Sequence, residues 1–229
     1  MLDFKGKYLM IVSDLHMHHK NIIEFERTQF KNIDEHDNFI IQKHIEWREK
    51  IKKLQSKGKK VVFINLGDFF DLNFLDMYKD WPCELLYIYG NHDAHENLHL
   101  YQEVFNYVFE YPIFISDRII LSHIPQNAFD SQIVIHGHLH GNIIDKPNYI
   151  CCSINHINYK PITSDKINSV FGKIPKYTQK HLEAPYTTWE KVIYRPQNDL
   201  ILDPVTQHID VSAMRALQYI NKQLREKEL

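Results

Sequence analysis

The sequence predicts an α/β fold whose core contains neighbouring parallel strands. Short apolar runs, among them Tyr8–Val12, Val61–Leu66 and Leu85–Tyr89, have the length and composition of strands that are buried on both faces. Helical patterns separate successive runs, and strands that alternate with helices usually pair in parallel. Polar residues follow directly after these runs, at the edge where open α/β sheets place their ligands.

The first half of the chain contains one long predicted helix and two short ones. Asn32 or Asp34 can cap the long helix, whose apolar stripe continues to Gly58, a natural C-terminal stop. Asn21–Lys31 is predicted as a loop with a short helix over the end of the first strand. Leu72–Lys79 is predicted as a short helix that returns the chain to the third strand, a crossover that suits neighbouring parallel strands.

Shorter elements are predicted for the following part of the chain. A helix near Glu96–Val108 leads into a series of strands. These predicted strands are Tyr111–Ser116, Arg118–Leu121, Gln132–Ile135 and Tyr149–Ile154. Pro161–Asn168 is predicted as a loop with a short helix.

From Phe171 onward the pattern changes, because prolines divide the sequence into short pieces. Only Val211–Lys227 has helical periodicity there. We therefore predict a main domain over residues 1–169 and an extension over residues 170–229 that packs on it. The amphipathic final helix is interpreted as a docking or oligomer surface, because it lacks the strongly basic face of a membrane-surface helix. Two roles stay open for the extension: closing over a functional site, or joining two subunits of a homo-oligomer.

Charge and cysteine content narrow the functional classes. The 229 residues include 27 basic and 29 acidic side chains, so no global basic field draws the protein to nucleic acid, although a local basic groove stays open. Three cysteines without metal-type spacing argue against a disulfide framework and against a thiolate zinc site. The N-terminus lacks the apolar core of a signal peptide, and no apolar run has the length of a membrane span. We therefore expect a cytoplasmic protein.

Potential metal ligands follow the predicted strands. The chain has only 7 glycines, and Gly67, Gly90 and Gly137 directly precede clusters of Asp, Asn and His, which indicates tight turns that bring side chains to one point. If the backbone stays extended through Leu15, alternation places Asp14 and His16 on the same side. The full set is Asp14, His16, Asp68, Asn91, His92, His123, His138 and His140. Oxygen and imidazole donors without thiolates suit two divalent ions, of which manganese, iron and zinc fit best.

These residues occur in the order of a known pattern. The sequence resembles the calcineurin-like metallophosphoesterase superfamily, whose motifs D-x-H, G-D-x-x-D, G-N-H-[DE], H and G-H-x-H are met within roughly residues 8–169. It is most similar to the small prokaryotic and phage-type phosphoesterases, which usually have glycine where this chain has His18. The resemblance implies a four-layer α/β/β/α sandwich with the metals above the strand ends, and two divalent ions as cofactors, with manganese preferred over iron or zinc.

The resemblance also implies a role for each matching residue. The residues implied for the first ion are Asp14, His16, Asp68 and His140. Those implied for the second ion are Asp68, Asn91, His123 and His138, so that Asp68 bridges the two. A water or hydroxide held between the ions would attack phosphorus in line. His92 would donate a proton to the leaving oxygen or stabilise the charge there, and Asp93 would orient the His92 ring and raise its pKa.

Substrate contacts are less well defined by the sequence. His18 and His19 flank the first motif and can contact substrate phosphate or serve a structural purpose, and Asp71 is a further candidate. Protein phosphatases of the superfamily carry Arg-Gly after this aspartate, whereas the present chain has Leu72-Asn73. It therefore lacks a phosphate-gripping arginine, which argues against a Ser/Thr protein phosphatase.

We predict a metal-dependent phosphoric ester hydrolase that prefers small phosphodiesters, such as linear or cyclic nucleotides. One alternative is a phosphomonoesterase of small metabolites or nucleotides. A nuclease is disfavoured by the net charge and by the lack of an aromatic and basic strip. The alternative of another class is a binding scaffold that keeps the fold without catalysis.

Overall fold

The computed structural model describes residues 4–175. Most of the predicted extension, including the helix over Val211–Lys227, lies outside these described residues. Two β-sheets form the centre of the described part, so the α/β prediction is confirmed. None of the helices in residues 4–175 is long and apolar enough to cross a bilayer.

The first sheet has five strands in the order β4-β3-β2-β1-β9. They are β1 (Lys7–Val12), β2 (Lys60–Asn65), β3 (Glu84–Ile88), β4 (Tyr107–Phe109) and β9 (Ile162–Thr163). Strands β1 to β4 are parallel, and β9 pairs antiparallel with β1. The carboxyl ends of β1, β2 and β3 consequently lie side by side at one edge of the sheet.

The second sheet has four strands in the order β5-β6-β7-β8. They are β5 (Ile113–Ser116), β6 (Ile119–Ser122), β7 (Ile133–His136) and β8 (Tyr149–Cys151). Strand β5 pairs antiparallel with β6, whereas β6, β7 and β8 are parallel. This sheet therefore also has neighbouring carboxyl ends, those of β6, β7 and β8.

Four α-helices accompany the sheets: α1 (Lys20–Phe25), α2 (Ile33–Gln55), α3 (Leu98–Val104) and α4 (Ser164–Phe171). The side chain of Asn32 caps α2 by accepting a hydrogen bond of 2.8 Å from the backbone N–H of Glu35. The carboxylate of Glu35 accepts in return from the backbone N–H of Lys31, which satisfies a second free donor at this end.

Two hydrophobic cores lie on opposite faces of the first sheet. Along β1, Met10 faces the core that contains Trp47 and Ile51 of α2, whereas Leu9 and Ile11 face the other core. The second core also contains side chains of β6, β7 and β8, so the two sheets pack face to face. Helices α2, α3 and α4 contact strands of the first sheet, α1 packs against α2, and α4 also contacts β7. A fourth, helical layer stays a prediction.

Several predicted boundaries were wrong. The helix predicted over Glu96–Val108 is a 3₁₀ turn at His95–Asn97 followed by α3, and its last predicted residues form β4. Tyr107 pairs with Leu86 of β3, a long-range contact that the apolar pattern of three residues cannot reveal. The helix predicted at Leu72–Lys79 is a 3₁₀ helix over Leu72–Tyr78.

Two further differences concern the end of the described chain. The strand predicted over Tyr149–Ile154 ends at Cys151. Helix α4 continues through the predicted domain boundary after residue 169, and Val170 and Ile174 are buried in the second core. The described chain therefore contributes to the main domain through Ile174.

We expect Asn32→Ala to lower the free energy of unfolding by about 1 kcal/mol, because the substitution leaves the N–H of Glu35 without its cap. Urea denaturation followed by circular dichroism measures this loss. Asn32→Asp is the matched control, since a carboxylate oxygen can accept the same hydrogen bond. An equal loss in both variants would contradict the assignment of this cap.

Candidate metal centre

The loops after the parallel strands are joined to one another by backbone hydrogen bonds. The N–H of Asp14 donates to the carbonyl of Gly67 at 3.0 Å, and the N–H of His16 donates to that of Asp68 at 2.9 Å. In the second sheet, the N–H of Gly137 donates to the carbonyl of His123 at 2.9 Å. Loops that are distant in sequence are thus held in register at the sheet edges.

The candidate ligands share an unusual backbone conformation. The φ angle is positive at five of them, with values of 60° at Asp14, 49° at His16, 57° at Asp68, 67° at His138 and 49° at His140. The extended backbone through Leu15, which was the condition of the alternation argument, is therefore not present. Such conformations cost about 1–3 kcal/mol each and persist only where surrounding structure enforces them. Here the hydrogen bonds between the loops hold these residues at positive φ.

Glycines allow the loops to approach closely. A Cβ at Gly90 would lie 2.0 Å from Oδ1 of Asp68, and one at Gly137 would lie 2.0 Å from the Ser13 hydroxyl oxygen and 2.5 Å from Oδ2 of Asp14. No side chain fits in either place. The structure thus gives a steric reason for the glycines that precede the polar clusters.

One group of ligand atoms lies around Asp14. Nε2 of His16 is 4.0 Å, and Nε2 of His140 is 3.8 Å, from Oδ1 of Asp14. His16 is 1% exposed, and its Nε2 has no hydrogen-bond partner among the described residues. A buried nitrogen without a partner is costly, and a metal ion would satisfy it. These donors match the set implied for the first ion.

A second group lies around Asn91. Its Oδ1 is 3.0 Å from Nε2 of His123 and 2.8 Å from Nδ1 of His138. These residues match the set implied for the second ion. Asp14, Asp68 and His123 also bring ligand atoms within 4.8 Å of one another, although Asp14 was not predicted to share a set with His123.

Asp68 occupies the position between the two groups. Its Oδ2 lies 3.6 Å from Nε2 of His16 and 3.2 Å from Nε2 of His123. Its other oxygen, Oδ1, accepts a hydrogen bond of 2.9 Å from the backbone N–H of His92. One fixed carboxylate therefore faces a histidine of each group, as a bridging ligand must.

Both aspartates are buried and ionised. Burial raises the pKa of Asp14, but His123, His140 and the hydroxyl of Ser153 outweigh this effect and lower the pKa to about 2. Burial likewise opposes ionisation of Asp68, but His123 and His16 hold its pKa below the ordinary value. Two negative charges in a buried site require nearby positive charge.

His123 supplies that charge in the metal-free protein. Its Nδ1–H donates to the carbonyl of Leu66 at 2.7 Å, so Nε2 faces the oxygens of Asp68 and Asn91. Burial lowers the pKa of His123, but the carboxylates of Asp68 and Asp14 outweigh burial and raise it to about 10. A divalent cation can take the place of the Nε2 proton. The described residues therefore fit a metal site.

Asp93 does not orient His92 in this structure. Its carboxylate accepts five hydrogen bonds in the described residues, and none comes from the His92 ring. The donors are the backbone N–H groups of Asp68, Phe69 and Gly90 and the hydroxyls of Tyr87 and Tyr101. Asp93 is thus a buried junction between the loops after β2 and β3. Burial raises its pKa, and the charge of Asp68 adds to this effect.

His92 presents its ring at the surface of the site. The residue is exposed, and its ring centroid lies 5.5 Å from that of the ligand candidate His16. Its backbone is anchored through the bond to Asp68 described above. The ring is thus beside the candidate metal ligands and is accessible to a substrate, as a proton donor requires.

The three candidate substrate contacts differ in their surroundings. The ring of His19 stacks on Phe70 with centroids 4.2 Å apart, and its Nδ1 lies 3.2 Å from Nδ1 of His16. His18 instead faces Asp37, with Nδ1 3.4 Å from a carboxylate oxygen. Asp71 caps the following 3₁₀ helix by accepting from the N–H of Asn73. The structure therefore brings only His19 next to a candidate ligand.

The sequence did not predict a buried arginine that holds the backbone of the first motif in place. Arg27 is fully buried, and its guanidinium donates to the carbonyls of Asp14 and Leu15. It also lies 2.6 Å from Nε2 of His36, whose Nδ1 is 2.8 Å from Asp37. Asp37 in turn accepts from the N–H of His18. Arg27 had no signal in the sequence, because it lies in a loop without periodicity.

Comparisons with known proteins support the fold. No model of a known protein family matches the chain. An uncharacterized protein of Methanocaldococcus jannaschii is 27% identical over 180 residues, which cover 72% of this chain and 92% of that protein. The crystal structure of a protein of unknown function from Aquifex aeolicus matches with a TM-score of 0.52 and 23% identity, covering 72% of this chain and 99% of that one.

A more distant match is the structure of an archaeal phosphodiesterase, with a TM-score of 0.39 and 16% identity, covering 64% of this chain and 83% of that one. The match to the Aquifex protein shows a shared fold.

We expect metal binding near neutral pH to release about one proton from His123, because its imidazole is protonated in the metal-free protein and must be deprotonated as a ligand. Calorimetric titration of Mn²⁺ in buffers of different ionisation enthalpy measures this proton. His123→Asn should bind Mn²⁺ more weakly and release about one proton fewer, whereas His99→Asn, an exposed control, should behave as wild type. Equal proton release in His123→Asn and wild type would contradict the assignment.

The same protonation affects stability. The stabilising contribution of His123 is fully present below its ordinary pKa of 6.5 and is lost as the pH rises toward about 10. In the metal-free protein, urea denaturation should show this loss, and His123→Asn should lack it.

Proposed function

We propose that this protein is a dinuclear-metal-dependent phosphoesterase that hydrolyses small phosphodiesters such as linear or cyclic nucleotides. The observation that carries the proposal is the position of Asp68, whose Oδ2 lies between Nε2 of His16 and Nε2 of His123. A buried, ionised carboxylate shared by two imidazoles matches the bridging ligand of a two-metal hydrolytic site.

The ligands of each ion are proposed as the two groups described above. Two divalent ions, with manganese preferred over iron or zinc, would supply a nucleophile from water and neutralise charge on the phosphoryl group. The protein's contribution is to fix the ligands before the substrate arrives. The serine hydroxyl of Ser153 and the backbone N–H of His138 both donate to Asp14, which holds its carboxylate in place.

His92 is proposed as the proton donor to the leaving oxygen. Its ring is exposed next to His16, and its backbone N–H is fixed on Asp68. Asp93 assists indirectly, because its bonds to the N–H groups of Gly90 and Asp68 hold the loop that carries His92. This role replaces the ring contact that was predicted for Asp93.

The surroundings of His92 favour a diester with an organic leaving group. Phe70 is 40% exposed beside the site, and its ring centroid lies 6.4 Å from that of His92. An exposed aromatic face at this position can pack against a nucleobase. Asp71 is followed by Leu72-Asn73 and not by an arginine, so this position offers no guanidinium to a dianionic monoester.

A phosphomonoesterase is the second candidate, and a binding scaffold without catalysis is the third. Comparing hydrolysis of bis-p-nitrophenyl phosphate with that of p-nitrophenyl phosphate in Mn²⁺ separates them. Faster hydrolysis of the monoester would reverse our preference. Hydrolysis of neither compound by protein shown to contain two metals would favour the scaffold.

We expect Asp68→Asn to lower the turnover of bis-p-nitrophenyl phosphate by more than about 100-fold, because loss of outer partners of metal ligands alone costs about 10- to 100-fold. Asp34→Asn is the matched control, since Asp34 is exposed in the first turn of α2 and contacts no candidate ligand in the described residues. Steady-state kinetics with metal analysis of each variant tests this. Wild-type turnover in Asp68→Asn would exclude a bridging role.

We expect His92→Ala to retain both metals and to lose about 10²- to 10⁴-fold in turnover on a diester with a poor, alkyl leaving group. The loss should be smaller with p-nitrophenyl esters, whose leaving group needs no proton. His95→Ala provides the comparison, because His95 is exposed and pairs with Glu110 at 3.0 Å. If His92→Ala turned over the alkyl diester normally, His92 would have no part in proton transfer.

A further inference from the structure

A cavity of about 480 Å³ lies beside β8, β9 and α4, and the metal centre does not account for it. Its lining residues are Lys146, Pro147, Tyr149, Ile150, Cys151, His156, Ile157, Lys160, Ile162, Lys166, Val170 and Lys173.

The lining of this cavity carries charge of one sign. Four lysines and one histidine contribute to it, and no aspartate or glutamate does. All four lysines are exposed, and none forms an ion pair among those found in residues 4–175. Lys166 and Lys173 are seven positions apart, at and just beyond α4, so the helical repeat brings them to the same side as Val170.

Lysines at sheet edges also have a protective function. Strand β8 is at the edge of the second sheet and β9 is at the edge of the first, and exposed lysines keep such edges from pairing with other chains. That function requires lysines along the edge but does not require a cavity. Here residues from two sheet edges and a helix surround one space, which is the arrangement of a binding site for an anion.

We propose that this basic pocket binds the phosphate backbone of a single-stranded nucleic acid. The lysines are separate, exposed point charges, and the lining contains no arginine fork that would grip one phosphate in fixed geometry. Such lysines suit non-specific contacts with successive phosphates of a strand. Tyr149 also lines the pocket, with Nζ of Lys146 5.9 Å from its ring centroid, so the lining combines an aromatic side chain with basic ones, as in grooves that bind single strands.

The basic pocket is close to the metal centre along the chain. Cys151 lines the pocket, and Ser153, two residues later, donates to Oδ2 of Asp14 at 2.7 Å. Two residues of extended chain span about 7 Å. Both sites therefore take residues from the same short segment at the end of β8. Binding there does not require that the metal centre is hydrolytic, so this inference can fail or succeed independently of the proposed function.

The test measures binding of a fluorescently labelled oligothymidylate of about 20 nucleotides to the full chain by anisotropy over a range of salt concentrations. Phosphorothioate linkages keep the charge and resist hydrolysis. In a variant with the four substitutions Lys146→Gln, Lys160→Gln, Lys166→Gln and Lys173→Gln, we expect at least about tenfold weaker binding and a salt slope smaller by up to about 3, at about 0.7 per phosphate contact.

The matched control removes the same charge elsewhere. Its four substitutions, all at exposed lysines in or directly after α2, are Lys50→Gln, Lys53→Gln, Lys57→Gln and Lys59→Gln. This control should bind like wild type. Equal weakening in both variants, or no binding by wild type, would overturn the proposal. Unchanged binding in the pocket variant, together with self-association on gel filtration, would overturn it in favour of edge protection.

A competition experiment distinguishes binding of a strand from binding of a free nucleotide. Thymidine monophosphate should displace the oligonucleotide only at far higher concentration, because it offers one phosphate in place of many. Displacement at equal concentration would overturn the assignment to a strand. Hydrolysis of bis-p-nitrophenyl phosphate by both variants should equal that of wild type, which shows that the fold and the metal centre are intact.

Discussion

Two ionised carboxylates are buried at the ends of adjacent parallel strands, and the groups around them must compensate their charge. Asp14 and Asp68 are each 1% exposed or less, and buried charge is tolerated only when it is paired and hydrogen-bonded. The surrounding groups provide both: a serine hydroxyl, backbone N–H groups and three histidine rings face the two side chains. The site is therefore built to hold positive charge, whether as a proton on His123 or as divalent ions.

Rigidity at this site comes from bonds between loops that are far apart in sequence. Asp93 accepts from backbone N–H groups on the loops after both β2 and β3, and Arg27 donates to carbonyls of the loop after β1. These bonds hold Asp14 and Asp68 at positive φ angles, a conformation that aspartate tolerates and that the surrounding structure stabilises here. Ligand geometry is thus a property of the assembled sheet edge, and a change at Asp93 should be felt at both loops.

The sequence was sufficient for strands such as β1, β2 and β3 and for the candidate ligands that follow them, because buried parallel strands have continuous apolar runs and their carboxyl ends meet at one edge. It did not predict the short strands β4 and β9. It was insufficient where contacts between residues far apart in the sequence determine the backbone conformation or the role of a side chain. Alternation correctly predicted that Asp14 and His16 converge, yet the backbone reaches that result through left-handed turns, which Asp and His tolerate without requiring them. The role of Asp93 depends on its hydrogen bonds with Tyr87 and Tyr101. The importance of Arg27 follows from its burial, which the sequence did not predict.

The net charge of the whole chain does not determine the local electrostatic field that a nucleic acid would meet at one surface. The sum of −2 is taken over the whole chain, whereas exposed charges more than about 8–10 Å apart are largely screened at physiological salt. The field inside the basic pocket is set by the lysines that line it, since none of its lining residues is acidic. The buried aspartates nearby repel a polyanion little, because His123 or bound cations compensate their charge. Segregated charge on a nearly neutral chain is thus compatible with both a metal centre and an adjoining phosphate-binding surface.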